Sequence, residues 1–425
     1  MAPCSSSSIR ASLLRSGTAS ALLDCERHPG PSMYPLAGTV IAIDLGNTNS
    51  CVAGYGRGGD TGSMFHLCIP SWVAFPDGGG VLVGEDARNY AAVNPEAGFS
   101  GFKRLLGKRL NKFSEGGFVQ RVVEGLPYKV VEKDVRPHIQ METKDGVVRH
   151  AGIEEITTTV LAKLKEMAEA HLGRKVQRAV FTRPQQYCSD AVLHTGRDAG
   201  LPAMRILDEP IAAAVAYGVH RKLRDEGNVL VLHIGGGTAE ASVLTFADVF
   251  EFLEETLILS LEGMTLIGGS RTTSSDWKLR TACEGAKRTL SDQDRAHVNV
   301  ESIVDGVDLS ELLTRAKFEE LNRDLFLKVV ELVDRVMAQA ELEKNKELID
   351  EVVLIGGSTL ILKVEKTIKD YFDGKELNSK LKPDEAVTFG AILLSHPSAS
   401  GYPCMGVNNR YQIGNPSDQC YAYDY

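Results

Sequence analysis

Val40-Ile41-Ala42-Ile43-Asp44-Leu45-Gly46-Asn47-Thr48-Asn49 is an apolar run that ends on an acid and a glycine turn. A short run of this kind bounded by turn residues reads as a buried strand, and Ser50-Cys51-Val52-Ala53 behind it completes a hairpin. The pattern returns at Val229-Leu230-Val231-Leu232-His233-Ile234-Gly235-Gly236-Gly237-Thr238, where His233 falls on Asp44, Ile234 on Leu45 and Gly235 on Gly46. Ala241-Ser242-Val243-Leu244 then mirrors the stretch from Ser50 to Ala53. Two such hairpins, each with its own trailing helices and strands, predict a duplicated α/β fold of two lobes. A third strand and glycine turn stands at Glu351-Val352-Val353-Leu354-Ile355-Gly356-Gly357-Ser358.

The stretches between carry helical and strand signals. Ile153, Ile156, Val160, Leu161, Leu164, Met167 and Ala168 recur at three- and four-residue spacing, which predicts one long helix from Ile153 to Leu172. Arg178-Ala179-Val180-Phe181-Thr182 reads as the strand after it, and Phe318 to Lys344 as an amphipathic helical run. Residues 1–37 are expected to be a disordered or targeting segment. Met1 to Leu23 contain no acid, two arginines and many Ser and Ala, a transit-peptide-like composition that a plain tail would share. Residues 396–425 read as an unstructured tail without a retention signal.

Bulk properties exclude some functions. The chain has 425 residues, 43% of them hydrophobic, and a net charge of −9. That is ample for a large core, and the acidic balance argues against nucleic-acid or anionic-membrane partners. No apolar run is long enough to span a bilayer. The eight cysteines are scattered, with no C-x-x-C pair, so neither structural zinc nor a disulfide framework is indicated.

The glycine turns carry the chemistry. Glycine lets backbone N–H groups close around phosphate oxygens, Thr48 and Thr238 add hydroxyl donors, and Asp44 at a strand end is placed to hold magnesium through its waters. A tight hairpin needs glycine in any case, but two matched turns and a third favour a nucleotide. A Walker A pattern is absent, which argues against a P-loop enzyme.

At these residues the chain resembles the seventy-kilodalton heat-shock protein family. Gly38 to Gly46 looks like the family's first phosphate loop and Gly235-Gly236-Gly237-Thr238 like its second. Ile206-Leu207-Asp208-Glu209-Pro210-Ile211-Ala212-Ala213-Ala214-Val215-Ala216-Tyr217-Gly218 is similar to its connecting segment, and Arg280 to Ser291 to its adenosine helix. Gly356-Gly357-Ser358-Thr359 and Pro383-Asp384-Glu385-Ala386-Val387 complete the set, and Val300-Glu301-Ser302, Phe318 to Asn322 and Leu342 to Asn345 look most like the endoplasmic-reticulum luminal branch.

The resemblance implies an actin-like, hexokinase-like ATPase fold, with lobes at 38–220 and 221–395 around a central cleft for ATP or ADP. It implies magnesium held through waters by Asp44 and Glu209, with potassium as a further cofactor. Asp44, Lys103 and Glu209 would carry catalysis, Lys103 by positioning the attacking water and stabilising charge on the γ-phosphate. Gly46, Asn47, Thr48, Asn49, Gly235, Gly236, Gly237, Thr238 and Gly356 would meet phosphates. Glu284, Lys287, Arg288 and Ser291 would hold ribose and adenine, with Gly357, Ser358 and Asp384 closing the pocket. Arg183 and Pro184 would sit at an interlobe switch. J-domain co-chaperones and exchange factors are the implied partners, with weakened binding, and direct binding of unfolded clients is not expected. The endoplasmic-reticulum lumen is the implied compartment, while the N-terminal composition points to cytoplasm, plastid or mitochondrion. Taken alone, Lys103 sits in a basic cluster with Arg104, Lys108 and Arg109 of the kind usually found on a solvated face. Glu209 reads as a helix N-terminal acid, and Lys287 and Arg288 as surface partners of Glu284.

The chain departs from the family pattern at defined positions. His233 stands for an aspartate, Glu240 for another, Leu360 for the arginine that stacks on adenine and Leu362 for a proline. Loss of that stacking forfeits a cation–π contact of about 1 kcal/mol. The stretch between Gly269-Ser270 and Leu279 is short, as is the helix after Pro184, and no counterpart of the peptide-binding domain is expected. These features predict an ATP-binding chaperone-type domain with weakened hydrolysis. The alternatives are a pseudo-ATPase that serves as a binding module for co-chaperones and a truncated paralogue.

Overall fold

The computed structural model describes residues 39–394 apart from 57–63, 111–117, 143–145, 185–188, 220–222, 224–226, 248–250, 261–273, 305 and 379–380. The expectations for 1–37, for 396–425 and for the short stretch after Ser270 fall largely outside these residues.

Two sheets dominate. The first is five-stranded, with β11 (Ala203–Asp208), β10 (Arg178–Arg183), β1 (Val40–Asp44), β2 (Asn49–Tyr55) and β3 (Met64–Pro70) in that order. The second is four-stranded, with β14 (Glu251–Ser260), β13 (Thr238–Ala247), β12 (Gly227–Ile234) and β17 (Ile349–Ile355). Three smaller sheets join β5 (Leu82–Val83), β4 (Trp72–Ala74) and β6 (Gly98–Ser100); β7 (Lys129–Lys133), β8 (Arg136–Glu142) and β9 (Val148–Gly152); and β15 (Arg295–Val304) with β16 (Val307–Thr314).

The repeat seen in the sequence is a repeat in space. β1 pairs antiparallel with β2 and parallel with β10, while β12 pairs antiparallel with β13 and parallel with β17. Both central strands are covered on both faces: Ile41, Ala42 and Ile43 are buried, as are Val229, Leu230, Val231 and Leu232. That is why they read as unbroken apolar runs rather than alternating ones.

Helices cover the outer faces. The helix Ile153–Leu172 buries Ile156, Val160, Leu161 and Leu164 against the first sheet, and Gly173 in the left-handed region ends it. The helical run expected from Phe318 is two helices, Arg315–Leu321 and Arg323–Gln339, and ends before Lys344. Asn322 breaks it: its buried side-chain amide donates to the Phe318 carbonyl at 2.8 Å, competing with the helical ladder. Glu341 at φ 58° turns the chain after the second helix.

Between the sheets lie two short helices, Glu209–Ala216 and Ala386–Leu393, built almost wholly of small and branched apolar residues. Ala212, Ala213, Ala214, Ala386, Ala391 and Ile392 share one core with Ala42, Val180, Val229, Val231 and Ile355 from both sheets. Gly390 sits where the helices cross: a Cβ there would lie 1.7 Å from the Ala212 carbonyl oxygen.

The cysteine expectation is corrected. Cys51 and Cys68 are disulfide-bonded, because the β2–β3 register sets them directly opposite with Cα atoms 4.1 Å apart. They lie 17 positions apart in the sequence, and nothing in that spacing announces the pairing. Cys283 is a free thiol. Among the described residues no helix is long and apolar enough to cross a membrane.

Gly390→Ala tests the crossing. Alanine gains about 1 kcal/mol of helix propensity over glycine, but overpacking against a backbone oxygen costs about 1–3 kcal/mol. A lower thermal unfolding midpoint is expected by scanning calorimetry. An unchanged or higher midpoint shows that the crossing can open freely.

Candidate functional site

The turns that follow β1 and β12 face each other. A Cβ on Gly236 would meet Thr48 Oγ1 at 2.2 Å, and one on Gly237 would meet Asn47 Nδ2 at 2.7 Å. The Gly235 N–H donates to the Thr238 carbonyl at 2.9 Å and closes the second turn. The third turn seats against it: Gly356 has φ 87°, its N–H donates to the Pro383 carbonyl at 2.8 Å, and the Ser358 hydroxyl donates to the Gly235 carbonyl at 2.9 Å. The first turn is fixed from behind by Ser71, whose hydroxyl donates to the Gly46 carbonyl at 2.7 Å and exchanges a 2.7 Å bond with Ser50. Gly46, Asn47, Thr48, Asn49, Gly235, Gly236, Gly237, Thr238, Gly356, Gly357 and Ser358 therefore form one cluster of turns at the carboxyl ends of central strands, where open α/β sheets take ligands.

A charged group lies at the same strand ends. Lys103, on a short 3₁₀ turn entered through Gly101, donates to Glu209 Oε1 at 3.3 Å. His233 Nδ1 lies 3.1 Å from the other carboxylate oxygen of Glu209, in ion-pair contact but without hydrogen-bond alignment. Lys103, Arg104 and Glu209 are buried, so Lys103 does not lie on a solvated face, whereas Lys108 is half-buried and Arg109 exposed. Glu209 opens its helix, as its sequence context before Pro210 suggests, and the helix N-terminus favours its charge. Asp44 accepts from Thr182 Oγ1 at 3.2 Å, the residue opposite it in the β1–β10 register.

Burial and neighbouring charge shift these groups differently. Burial, reinforced by Glu209, pushes Asp44 up to about 6 against the opposing pull of Lys103 and His233. Burial would also raise Glu209, but Lys103 and His233 outweigh it and hold the carboxyl at about 2. Burial disfavours the His233 imidazolium, yet Glu209, with Glu240 and Asp44, raises its pKa above the usual histidine value.

The remaining residues are spread more widely. Glu284 pairs with Lys287 at 2.5 Å and with Arg288 at 3.0 Å on the helix Ser274–Asp292, as helical spacing alone suggests. Lys287 and Ser291 also line a recess with Arg315, Phe318, Ile361 and Leu362, while Glu284 and Arg288 stand outside that lining. Leu360 is 52% exposed near this recess and offers no charge. Asp384 faces Tyr217, whose phenol is pushed up to about 12 by burial and then by Asp384. Arg183 pairs with Asp208 at 3.3 Å across the β10–β11 register, with Pro184 following it.

Thr182, Ser71 and Ser50 were not among the candidates from sequence, and no local signal marks them. Glu240 was legible only as a substitution. The hairpin symmetry of β12 and β13 also sets it opposite His233, a pairing that can be counted across the glycine turn.

The donor chemistry suits a phosphate chain: glycine backbones that approach too closely for any Cβ, and two threonine hydroxyls. For magnesium the fit is narrower. Asp44 is an oxygen donor of the right kind, but Lys103 and His233 engage both oxygens of Glu209.

Comparison with known proteins agrees with this architecture. The family model for Hsp70 protein matches residues 40–269 and 267–397. Heat shock 70 kDa protein BIP3 of rice, Oryza sativa subsp. japonica, is 44% identical over 386 residues, which cover 84% of this chain and 56% of the rice protein. The chain thus spans about half the length of the curated relative it matches. With an actin-like α/β fold of two central sheets and matched glycine turns, the chain belongs to the Hsp70 family.

Proposed function

We propose that the chain binds ATP or ADP between its glycine turns as the nucleotide-binding unit of a chaperone of the endoplasmic-reticulum type, and that it hydrolyses ATP slowly. The observation that carries this reading is the approach of Gly236 to Thr48 beside the Lys103–Glu209 pair. Lobes at 38–220 and 221–395 follow from the same reading, as do exchange factors and J-domain proteins as partners.

In this reading the amides of the turns and the hydroxyls of Thr48 and Thr238 hold the phosphates. The Lys103 ammonium lies buried at the strand ends beside Glu209. Lys103 is thereby set to orient an attacking water and to stabilise charge developing on the terminal phosphate. Magnesium, arriving with the nucleotide, would neutralise phosphate charge, and Asp44 would hold it through water. Potassium would find its oxygen donors among the same carboxylates.

His233 is the reason for slow turnover. Its imidazolium occupies Glu209, which is then unavailable to orient water, and brings a positive charge where the repeat partner Asp44 carries a negative one. Binding tolerates that change, since a cation near phosphates is not repelled, so nucleotide affinity survives better than catalysis.

Three outcomes test this. ATP with magnesium should raise the thermal midpoint of the full chain saturably, because a ligand bound only to the folded state stabilises it. Gly236→Val should abolish that shift while leaving the circular dichroism spectrum intact. A folded parent with no shift contradicts nucleotide binding and leaves a pseudo-ATPase.

His233→Asp should raise ATP turnover about 10²-fold, the low end of what a positioned acid–base group contributes. Turnover equal to the parent's removes His233 as the cause of weak catalysis.

Asp44 predicts a pH dependence. Its folded value of about 6 lies above its ordinary 3.8, so the folded chain keeps this proton to higher pH than the unfolded chain does. Stability from this group therefore falls as pH rises through that interval, and the full penalty stands above it. Asp44→Asn should raise the unfolding midpoint near pH 7.5, with the gain shrinking toward pH 4. A gain independent of pH contradicts the assignment.

A further inference from the structure

Glu209, His233 and Glu240 come from three elements: the first turn of the helix Glu209–Ala216, the end of β12 and the start of β13. One ligand atom from each, an imidazole nitrogen and two carboxylate oxygens, lies within 4.8 Å of the others. The register fixes His233 and Glu240 as a cross-strand pair, and the helix brings Glu209 to the same point. Glu209 and Glu240 are almost fully buried, so neither carboxylate is on a solvated acidic surface.

We infer that these three side chains form a site for a divalent transition-metal ion of the zinc class, bound directly and without nucleotide. The donor set decides the class: an imidazole with two carboxylates suits zinc or cobalt, whereas magnesium takes oxygen in a nearly octahedral shell. The spacing agrees. Metal–ligand distances of about 2.0–2.2 Å in a tetrahedron place neighbouring donors about 3.4 Å apart. His233 Nδ1 and Glu209 Oε2 are already 3.1 Å apart, and that nitrogen is buried without a hydrogen-bond partner. That pair opens by a few tenths of an ångström to take a metal, and the Glu240 oxygen, within 4.8 Å of both, closes by up to about 1.4 Å. The ion takes over the role of the proton on Nδ1, which it displaces, and leaves a fourth position for water. Lys103 lies on the opposite oxygen of Glu209, so its charge weakens the site without blocking it.

Both turns of the repeat contribute to the cleft, but only the second carries a nitrogen donor, at the position where the first has Asp44. The site is therefore a property of His233 and stands whether or not nucleotide binds.

The test is cobalt titration of the full-length, nucleotide-free chain, read by visible absorption. Saturable d–d bands of tetrahedral intensity are expected, reversed by EDTA, displaced by zinc and not by excess magnesium. His233→Asp should lose affinity at least tenfold, the scale on which a lost partner acts at a metal centre, and should lose the bands. Glu240→Gln should weaken binding in the same sense and serves if His233→Asp does not fold. Absence of saturable bands in the parent overturns the site, as does undiminished cobalt binding by a folded variant. Strong near-ultraviolet thiolate-to-cobalt charge transfer would place the metal on Cys51 and Cys68 in reduced form and would equally overturn it.

Discussion

The crossing of the helices Glu209–Ala216 and Ala386–Leu393 is the constraint on which the rest of the molecule depends. Gly390 lets one backbone reach the Ala212 carbonyl of the other with no side chain between them. The alanines around this point are all buried in one core shared by both sheets. Small residues here set the distance between the two sheets, and that distance sets whether the turns after β1 and β12 can meet. A larger side chain would act on the cleft without touching it, because close-packed interiors pass displacements on.

The same helix places Glu209. Its first residue is carried to the strand ends by the packing of Ala212 and Ala213 behind it, and its charge is favoured by the helix N-terminus and balanced by Lys103 and His233. Structure and chemistry are therefore coupled through one short helix. The buried cluster of Asp44, Glu209, Glu240, Lys103 and His233 holds both signs of charge, and none of these groups has its ordinary electrostatic surroundings. Removing one member leaves others uncompensated, so effects at these positions will not add independently.

His233 changes the character of this cluster more than its size. An aspartate there would add to a carboxylate-lined cleft built for hard cations; an imidazole instead engages Glu209 and introduces a softer donor. One substitution thus gives a common account of the slow hydrolysis and of the second metal site proposed for this chain. Both follow from the same 3.1 Å contact.

Much of this was legible in the sequence. The unbroken apolar runs at Val40 and Val229, each ending in a glycine turn, determined strands, hairpins and the internal repeat, because strand burial and turn geometry are local demands on residue type. The long helix from Ile153 was equally plain from its spacing. The helical run expected from Phe318 forms two helices, and periodicity did not register the break at Asn322, whose side chain bonds back to the ladder. The pairing of Cys51 with Cys68, the placement of Thr182 on Asp44 and the burial of Lys103 came from the tertiary structure alone. Each depends on strand register or on packing between segments distant in the chain, and neither is encoded in the spacing of neighbours. What a residue can do was written in the sequence; which charge it faces was decided only when the two sheets closed on their shared helices.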